Sequence, residues 1–178
     1  MSRERLTLGA VQVYTGNGKG KTTAALGLAF RALGRGLKVY MIQFLKGRET
    51  GESAIAARLS PDFTLRFFGR PGLVNLKSPG PRDLDFIRQA WDTSREVILA
   101  GAYDLVILDE INLVLAHGLI PMAELAMVLR GRPPGVEVIL TGRQAPPELL
   151  ALADLATEMH PVKHYYQAGV KARRGIEW

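Results

Sequence analysis

TGNGKGKTT, residues 15–23, ends in Gly20, Lys21 and Thr22, the order found in phosphate-binding loops. Two details depart from the common pattern. The glycine expected five places before Gly20 is replaced by Thr15, with Gly16 one place later, and an extra lysine, Lys19, stands inside the loop. Such a loop needs a strand before it and a helix behind it. GAVQVYTG (9–16) is β-branched and aromatic and ends in glycine, the mark of a buried strand entering a turn. After Lys21, the apolar residues Leu26, Ala29, Phe30 and Leu33 recur at helical spacing, and Gly34 and Gly36 stop the helix. Glycines there let backbone N–H groups approach phosphate oxygens, and the following helix adds the positive end of its dipole. Lys21 supplies a point charge to phosphate and Thr22 a hydroxyl to Mg²⁺. A glycine-rich turn that contains GKT by chance is the competing reading, and the order strand, loop, amphipathic helix argues against it.

Outward from this unit the alternation continues. LKVYMIQF (37–44) predicts a strand covered on both faces, a short helix follows near 52–59, and FTLRFF (63–68) alternates as a third strand. GRPGLVNLKSPGP (69–81) is rich in Gly and Pro and predicts a substrate-facing loop. A helix is expected over 82–100, because Leu84, Ile87, Trp91 and Ile98 share a face. YDLVILDE (103–110) is an apolar strand ending in two carboxylates, INLVLAHG a short apolar segment, and Pro121 opens a helix over 122–130. VEVILTGR (136–143) is another buried strand, PPELLALA a short helix and LATEM a last strand, leaving a tail from His160 to Trp178. Alternating strands and helices predict an α/β fold of three layers, a mainly parallel sheet with helices on both faces and ligands at the carboxyl ends of the strands. One P-loop nucleotide-binding domain covering 1–178 is expected.

The phosphate loop and Asp109–Glu110 both fall at such strand ends, so the two acids are candidates for a magnesium ion bridging phosphates. Either carboxylate is also able to activate water, so the pair alone does not separate hydrolysis from transfer. Arg143, closing a strand at the same edge, is a candidate for phosphate or a plain surface cation. His164 lies beside Tyr165 and Tyr166, where packing is favoured over catalysis. The tail GVKARRGIEW is either a clamp over a ligand or a solvated terminus.

Composition narrows the classes. The chain has 178 residues, 47% hydrophobic and 22% charged, with no cysteine and three histidines. Disulfides, thiolate zinc sites and cysteine nucleophiles are excluded, and any metal is expected to be a hard ion bound through oxygen. The net charge of +6 and a pI near 9.8 suit an anionic ligand. No apolar run approaches the roughly 18 residues that span a bilayer, and MSRERLTLGAVQVY lacks a signal layout, so a cytoplasmic protein without membrane contact is expected. No serine triad, cysteine or histidine base stands out, so the nucleophile need not come from the protein.

Five blocks, TGNGKGKTTAALGLAFRALGRG, KVYMIQFLKG, YDLVILDEIN, VILTGR and KHYYQAGVKARRGIE, together resemble the P-loop family of ATP:corrinoid adenosyltransferases, which make adenosylcobalamin. The resemblance implies that a reduced corrinoid, with cobalt as Co(I), attacks the 5′ carbon of ATP and expels tripolyphosphate. It implies further that the nucleotide lies reversed in its loop relative to P-loop hydrolases, which suits a shorter loop beginning at Gly16 with Lys19 added. On that footing Gly16, Asn17, Gly18, Lys19, Gly20, Lys21, Thr22 and Thr23 line the triphosphate, with Arg143 reaching phosphate or a corrin carboxylate. Lys21, Thr22 and Glu110 then carry the reaction, Thr22 and Glu110 approach Mg²⁺, and Asp109 orients the metal shell. A homodimer and a flavoprotein electron donor are implied as well. Two departures from the family pattern stand out. Some members have a longer N-terminal segment covering the site, whereas only eight residues precede the first strand here, and the aromatic GFTW motif of some members is replaced by FFGRPGLVNLKSPG. Phe67, Phe68, Leu73 and Val74 are the candidates there to shield cobalt.

Two other functions fit parts of the pattern. A RecA-like P-loop ATPase acting on nucleic acid shares the loop, the sheet and the basic pI, but the chain has no long basic face with interleaved aromatics, so no nucleic-acid partner is expected. A nucleotide- or corrinoid-binding regulator without turnover has no need of the intact Lys21, Thr22 and Glu110.

Overall fold

The computed structural model describes residues 5–177. In chain order the elements are β1 (Val11–Thr15), α1 (Lys21–Leu33), β2 (Val39–Phe44), α2 (Gly51–Arg58), β3 (Phe63–Phe68) and α3 (Pro81–Ala100). They continue with β4 (Leu105–Asp109), α4 (Ile111–Ala116), α5 (Met122–Gly131), β5 (Glu137–Thr141), α6 (Pro147–Leu152) and β6 (Leu155–Glu158), before a 3₁₀ turn at Tyr165–Ala168. The six strands form one sheet in the order β3-β2-β4-β5-β1-β6, with every described pairing parallel.

Both faces are covered at the centre of the sheet, which is why β2, β4 and β5 read as nearly continuous apolar runs, whereas the edge strands β3 and β6 keep exposed residues. Val106 and Leu108 of β4 point to one side and Leu105 and Ile107 to the other; Val138 and Leu140 of β5 are likewise opposed to Ile139. The first face packs against α3, α4 and α5 through Ile87, Trp91, Ile98, Val114, Leu125 and Val128. Trp91 is fully buried, and its indole N–H donates to Glu124 of α5 at 2.9 Å. The second face takes α1 and α2, and here the contact residues are small: Ala25, Ala29, Ala32 and Ala56.

That small-residue contact changes one sequence expectation. Leu26, Phe30 and Leu33 do lie on a helix, but α1 buries Ala25, Ala29 and Ala32 against the sheet, leaving Phe30 80% exposed. Alanines allow the helix backbone to sit close to the strands, and the larger apolar side chains turn toward the cavity described below. The face expected on α3 survives except at Leu84, which is exposed while Ile87, Trp91 and Ile98 are buried. The segment INLVLAHG is resolved into α4, entered through Glu110 with a positive φ of 64°.

β5 lies between the loop-bearing strand β1 and the acidic strand β4. The carboxyl ends of β1, β5, β4 and β2 therefore open side by side on one edge. No helix of the described residues is long and apolar enough to cross a membrane.

Candidate active site

The loop between β1 and α1 is braced from below by the end of β6. The amide of Gly18 donates to the Met159 carbonyl at 2.7 Å, and a Cβ on Gly16 would meet that same oxygen at 2.4 Å. Gly16 and Gly20 also hold φ of 93° and 120°, a region that L side chains avoid. Both the close approach and the backbone angle thus require glycine at 16. No described side chain caps α1, so its first amides are available to an anion.

Lys21 is buried, at 8% exposure, and curls into the loop, its ammonium donating to the carbonyls of Gly16 at 2.8 Å and Gly18 at 2.7 Å. Burial pushes it below the ordinary lysine value, and the charge of Glu110 partly offsets this. Thr22, one residue on, donates its hydroxyl to Oδ1 of Asp109 at 2.8 Å. The same oxygen accepts from the Thr141 hydroxyl at 2.7 Å, and Oδ2 accepts from the Gln43 amide at 3.1 Å. Asp109 is 2% exposed, so its carboxylate is a buried acceptor held by three side chains from α1, β5 and β2.

Glu110 turns away from that anchor. Its amide donates to Thr141 Oγ1 at 3.1 Å, and the left-handed backbone at this residue aims its carboxylate into the cavity. Burial, then the neighbouring charge of Asp109, pushes its carboxyl above the ordinary value, against the pull of Lys21, Arg143 and Lys46. Behind it the buried Asn112 donates to the carbonyls of Gly142 at 3.0 Å and Tyr14 at 3.3 Å, tying α4 to the ends of β5 and β1.

A cavity of about 690 Å³ gathers these parts. Of the residues expected from the sequence, Asn17, Gly18, Lys19, Gly20, Lys21, Thr22, Thr23, Glu110 and Arg143 line it; Gly16 contributes its carbonyl to Lys21 and Asp109 stands behind Thr22. Its far wall is apolar, formed by Leu26, Phe30 and Leu33 of α1, by Ile55 of α2 and by Leu59 just after that helix. Among the described residues no group of three or more His, Cys, Asp or Glu is gathered as a metal site, so a cation here would draw ligands from the phosphates themselves.

The tail forms the remaining wall. Tyr165 donates its hydroxyl to Glu177, the Arg173 guanidinium lies 5.0 Å from the Tyr165 ring centre and donates to Glu177 at 3.2 Å, and Lys19 donates to the Ile176 carbonyl at 3.3 Å. Arg173 first, and Tyr165 after it, hold the Glu177 carboxyl down to about 2. These bonds fold the tail on itself and set His164, Tyr165, Gly175, Ile176 and Glu177 along the cavity wall, although residues 166–176 stay exposed. His164 packs against Tyr165 with ring centres 5.2 Å apart, as the sequence favoured, and it reaches the cavity wall as well.

The Gly- and Pro-rich loop behaves otherwise than expected: no residue of 69–80 lines this cavity. Arg70 instead pairs with Asp83 at 2.8 Å and ties the loop to α3. Phe68, one of the four candidates to shield cobalt, is buried in the core, while Phe67 is partly exposed and Leu73 is 97% exposed. Four polar residues went unread in the sequence: Gln43, Thr141, Asn112 and Glu52. Gln43 and Asn112 had a visible signal, each being a polar residue inside an otherwise apolar run.

A strand, a glycine loop, a helix and a neighbouring acidic strand end, all opening on one cavity, define a P-loop nucleotide-binding protein. A family model described as ATP:corrinoid adenosyltransferase BtuR/CobO/CobP matches residues 7–178. Similar curated proteins include the corrinoid adenosyltransferases of Pseudomonas aeruginosa and Escherichia coli K12. Each is 37% identical over 171 residues, covering 96% of this chain and 84% and 86% of theirs. The corrinoid adenosyltransferase CobA of Salmonella typhimurium is 36% identical over the same share of this chain and 86% of its own. The chain belongs to the ATP:corrinoid adenosyltransferase family. Its substrates are ATP and a reduced corrinoid, and the nucleic-acid-dependent ATPase is set aside.

Proposed function

We propose that this chain acts as a single adenosyltransferase domain in which the loop from Gly16 to Thr23 binds the triphosphate of ATP as a leaving group. The electron pair of Co(I) forms the bond to the 5′ carbon, the bond from that carbon to oxygen breaks, and its pair departs with tripolyphosphate. Since the attacking atom belongs to the corrinoid, the protein has two tasks: alignment of the 5′ carbon and neutralisation of charge on the departing chain. Lys21, Arg143 and the loop amides perform the second, while the exposed Lys19 adds to the binding of the triphosphate. The reading is carried by one observation, the convergence of these cations with Thr22 and Glu110 on a single cavity.

The residues fit a magnesium ion. Its donors would be hard oxygens, the Thr22 hydroxyl and the Glu110 carboxylate, with Asp109 orienting Thr22 through the 2.8 Å hydrogen bond. When bound, the ion adds positive charge to the phosphates and fixes their geometry. Corrinoids of both kinds, cob(I)alamin and cob(I)yrinic acid a,c-diamide, are proposed substrates, with a flavoprotein as electron donor, a homodimer as the working assembly and the cytoplasm as its place.

The test is anaerobic mixing of the protein with ATP, Mg²⁺ and each chemically reduced corrinoid in turn. Formation of the adenosylated spectrum with one tripolyphosphate per turnover is expected; ADP and phosphate as the only products would overturn the reading.

A further inference from the structure

Three side chains in or behind the cavity wall have no part in the reading above: Gln43, Lys46 and Glu52. Gln43 stands opposite Asp109 in the register of β2 and β4 and is fully buried in an otherwise apolar strand. Its Nε2 donates to Oδ2 of Asp109 at 3.1 Å and to Oε1 of Glu52 at 3.0 Å. Both partners are carboxylates and only accept, so the amide nitrogen must face them. That orientation leaves Gln43 Oε1 buried with no partner among the described residues, a sign that the bridge outweighs a lost hydrogen bond.

Glu52, in the first turn of α2, accepts on the same oxygen from the ammonium of Lys46 at 2.9 Å. Burial disfavours its charge, but the hydrogen bonds from Lys46 and Gln43 prevail and hold its carboxyl below the ordinary range. Lys46 and Glu52 both line the cavity beside Lys21, Thr22, Glu110 and Arg143, and the charge of Lys46 is felt at Glu110. A carboxylate in the wall of a cavity for a polyanion works against binding unless it fixes something that attracts. Glu52 fixes one of the three donors of Lys46 and leaves the others for the cavity.

We infer that Lys46 is a further binding residue for the triphosphate of ATP, and that Gln43 and Glu52 are its positioning residues. The inference rests on the reading that this cavity takes ATP with its triphosphate on the loop. Because the Gln43 amide also holds Asp109, and Asp109 holds Thr22, the cation and the metal-side hydroxyl share one support.

Sign separates this role from plain charge. Glu52→Met removes a negative charge near the anion, so charge alone predicts tighter tripolyphosphate binding, whereas positioning predicts weaker binding. Isothermal titration of tripolyphosphate into the full chain reads the difference without turnover. Lys46→Met is expected to weaken binding by about 10-fold, as for the loss of one charge-assisted hydrogen bond, with Lys46→Arg retaining most of it. Glu52→Met and Gln43→Met are expected to weaken it by about 3- to 10-fold, because an unfixed lysine loses side-chain freedom on binding. Thermal unfolding of each variant verifies the fold, and if Gln43→Met does not fold, Glu52→Met and Lys46→Met decide. Unchanged binding in Lys46→Met, or tighter binding in Glu52→Met, overturns the inference. Lys21→Met is the control: loss there with none in Lys46→Met overturns this inference and leaves the role of the loop intact, whereas loss in neither overturns both.

Discussion

The ammonium of Lys21 lies 2.8 Å from the carbonyl oxygen of Gly16, folded back into the loop that it serves. A phosphate entering the loop offers stronger, charge-assisted partners than the neutral carbonyls of Gly16 and Gly18. On the proposed reading the lysine exchanges partners on binding without having to travel. Lys21→Met is expected to lower turnover by about 10² or more, the scale of removing one donor from a developing negative charge. Adenosylcorrinoid formation followed by absorbance checks it, and a variant with near-normal turnover removes Lys21 from the leaving-group role.

Asp109 is the joint on which Thr22, Thr141 and Gln43 converge. Asp109→Asn keeps size and shape but is not neutral. Its amide can present oxygen to the two threonines only by pointing NH₂ at the Gln43 amide, donor against donor. If Gln43 flips to relieve this, its oxygen faces Glu52. Either arrangement leaves a buried group unpaired, at a cost of about 1–3 kcal/mol. For a chain of this size that corresponds to a melting temperature lower by about 2–4 °C per kcal/mol. Calorimetry measures this, and the Mg²⁺ requirement of turnover is expected to rise alongside.

Glu110 opposes stability to function. Burial and Asp109 raise its folded pKa, so the folded protein takes up its proton more readily than the unfolded chain does. The ionised group is then destabilising at neutral pH, and this penalty fades as pH falls through the folded pKa, disappearing below the unfolded one. Glu110→Gln is expected to raise the melting temperature of the ligand-free protein at neutral pH, with the gain shrinking in acid, while turnover falls by about 10². A melting temperature lowered at neutral pH would contradict the assigned shift.

Periodic features of the fold were legible in the sequence. The central strands appear where apolar runs are bounded by Gly, Pro or charge, because two covered faces leave little room for polar side chains. The site was legible where a backbone requirement shows in the residue type, as at Gly16 and Gly20, or where charge interrupts an apolar run, as at Asp109 and Glu110. Packing choices were not. Whether α1 buries Ala25 and Ala29 or Leu26 and Phe30 depends on how closely the helix approaches the sheet, and helical spacing permits both. The bond from Gln43 to Asp109 depends on strand order, since β2 meets β4 only after two crossovers place them together. The folding of the tail on itself was likewise beyond reach of pattern, because Tyr165 and Glu177 meet through a turn that no periodicity marks.

The extra lysine of the loop separates two kinds of contribution. Lys19 is exposed, and its ammonium donates only weakly, at 3.3 Å, to the carbonyl of Ile176 in the tail. A solvated cation beside a polyanion contributes on the order of 1 kcal/mol and is screened by salt. It acts on bound ATP and on departing tripolyphosphate alike, since its distance from the chain changes little as the bond to the 5′ carbon breaks. Uniform binding of this kind raises affinity without raising kcat. Lys19→Ala is therefore expected to raise the KM for ATP by about 3- to 10-fold with kcat nearly unchanged. The difference from the unsubstituted protein should narrow as ionic strength rises from about 0.05 to 0.5 M. Initial rates across ATP and salt concentrations measure both quantities. A fall in kcat with KM intact would instead assign Lys19 to the transition state, beside Lys21.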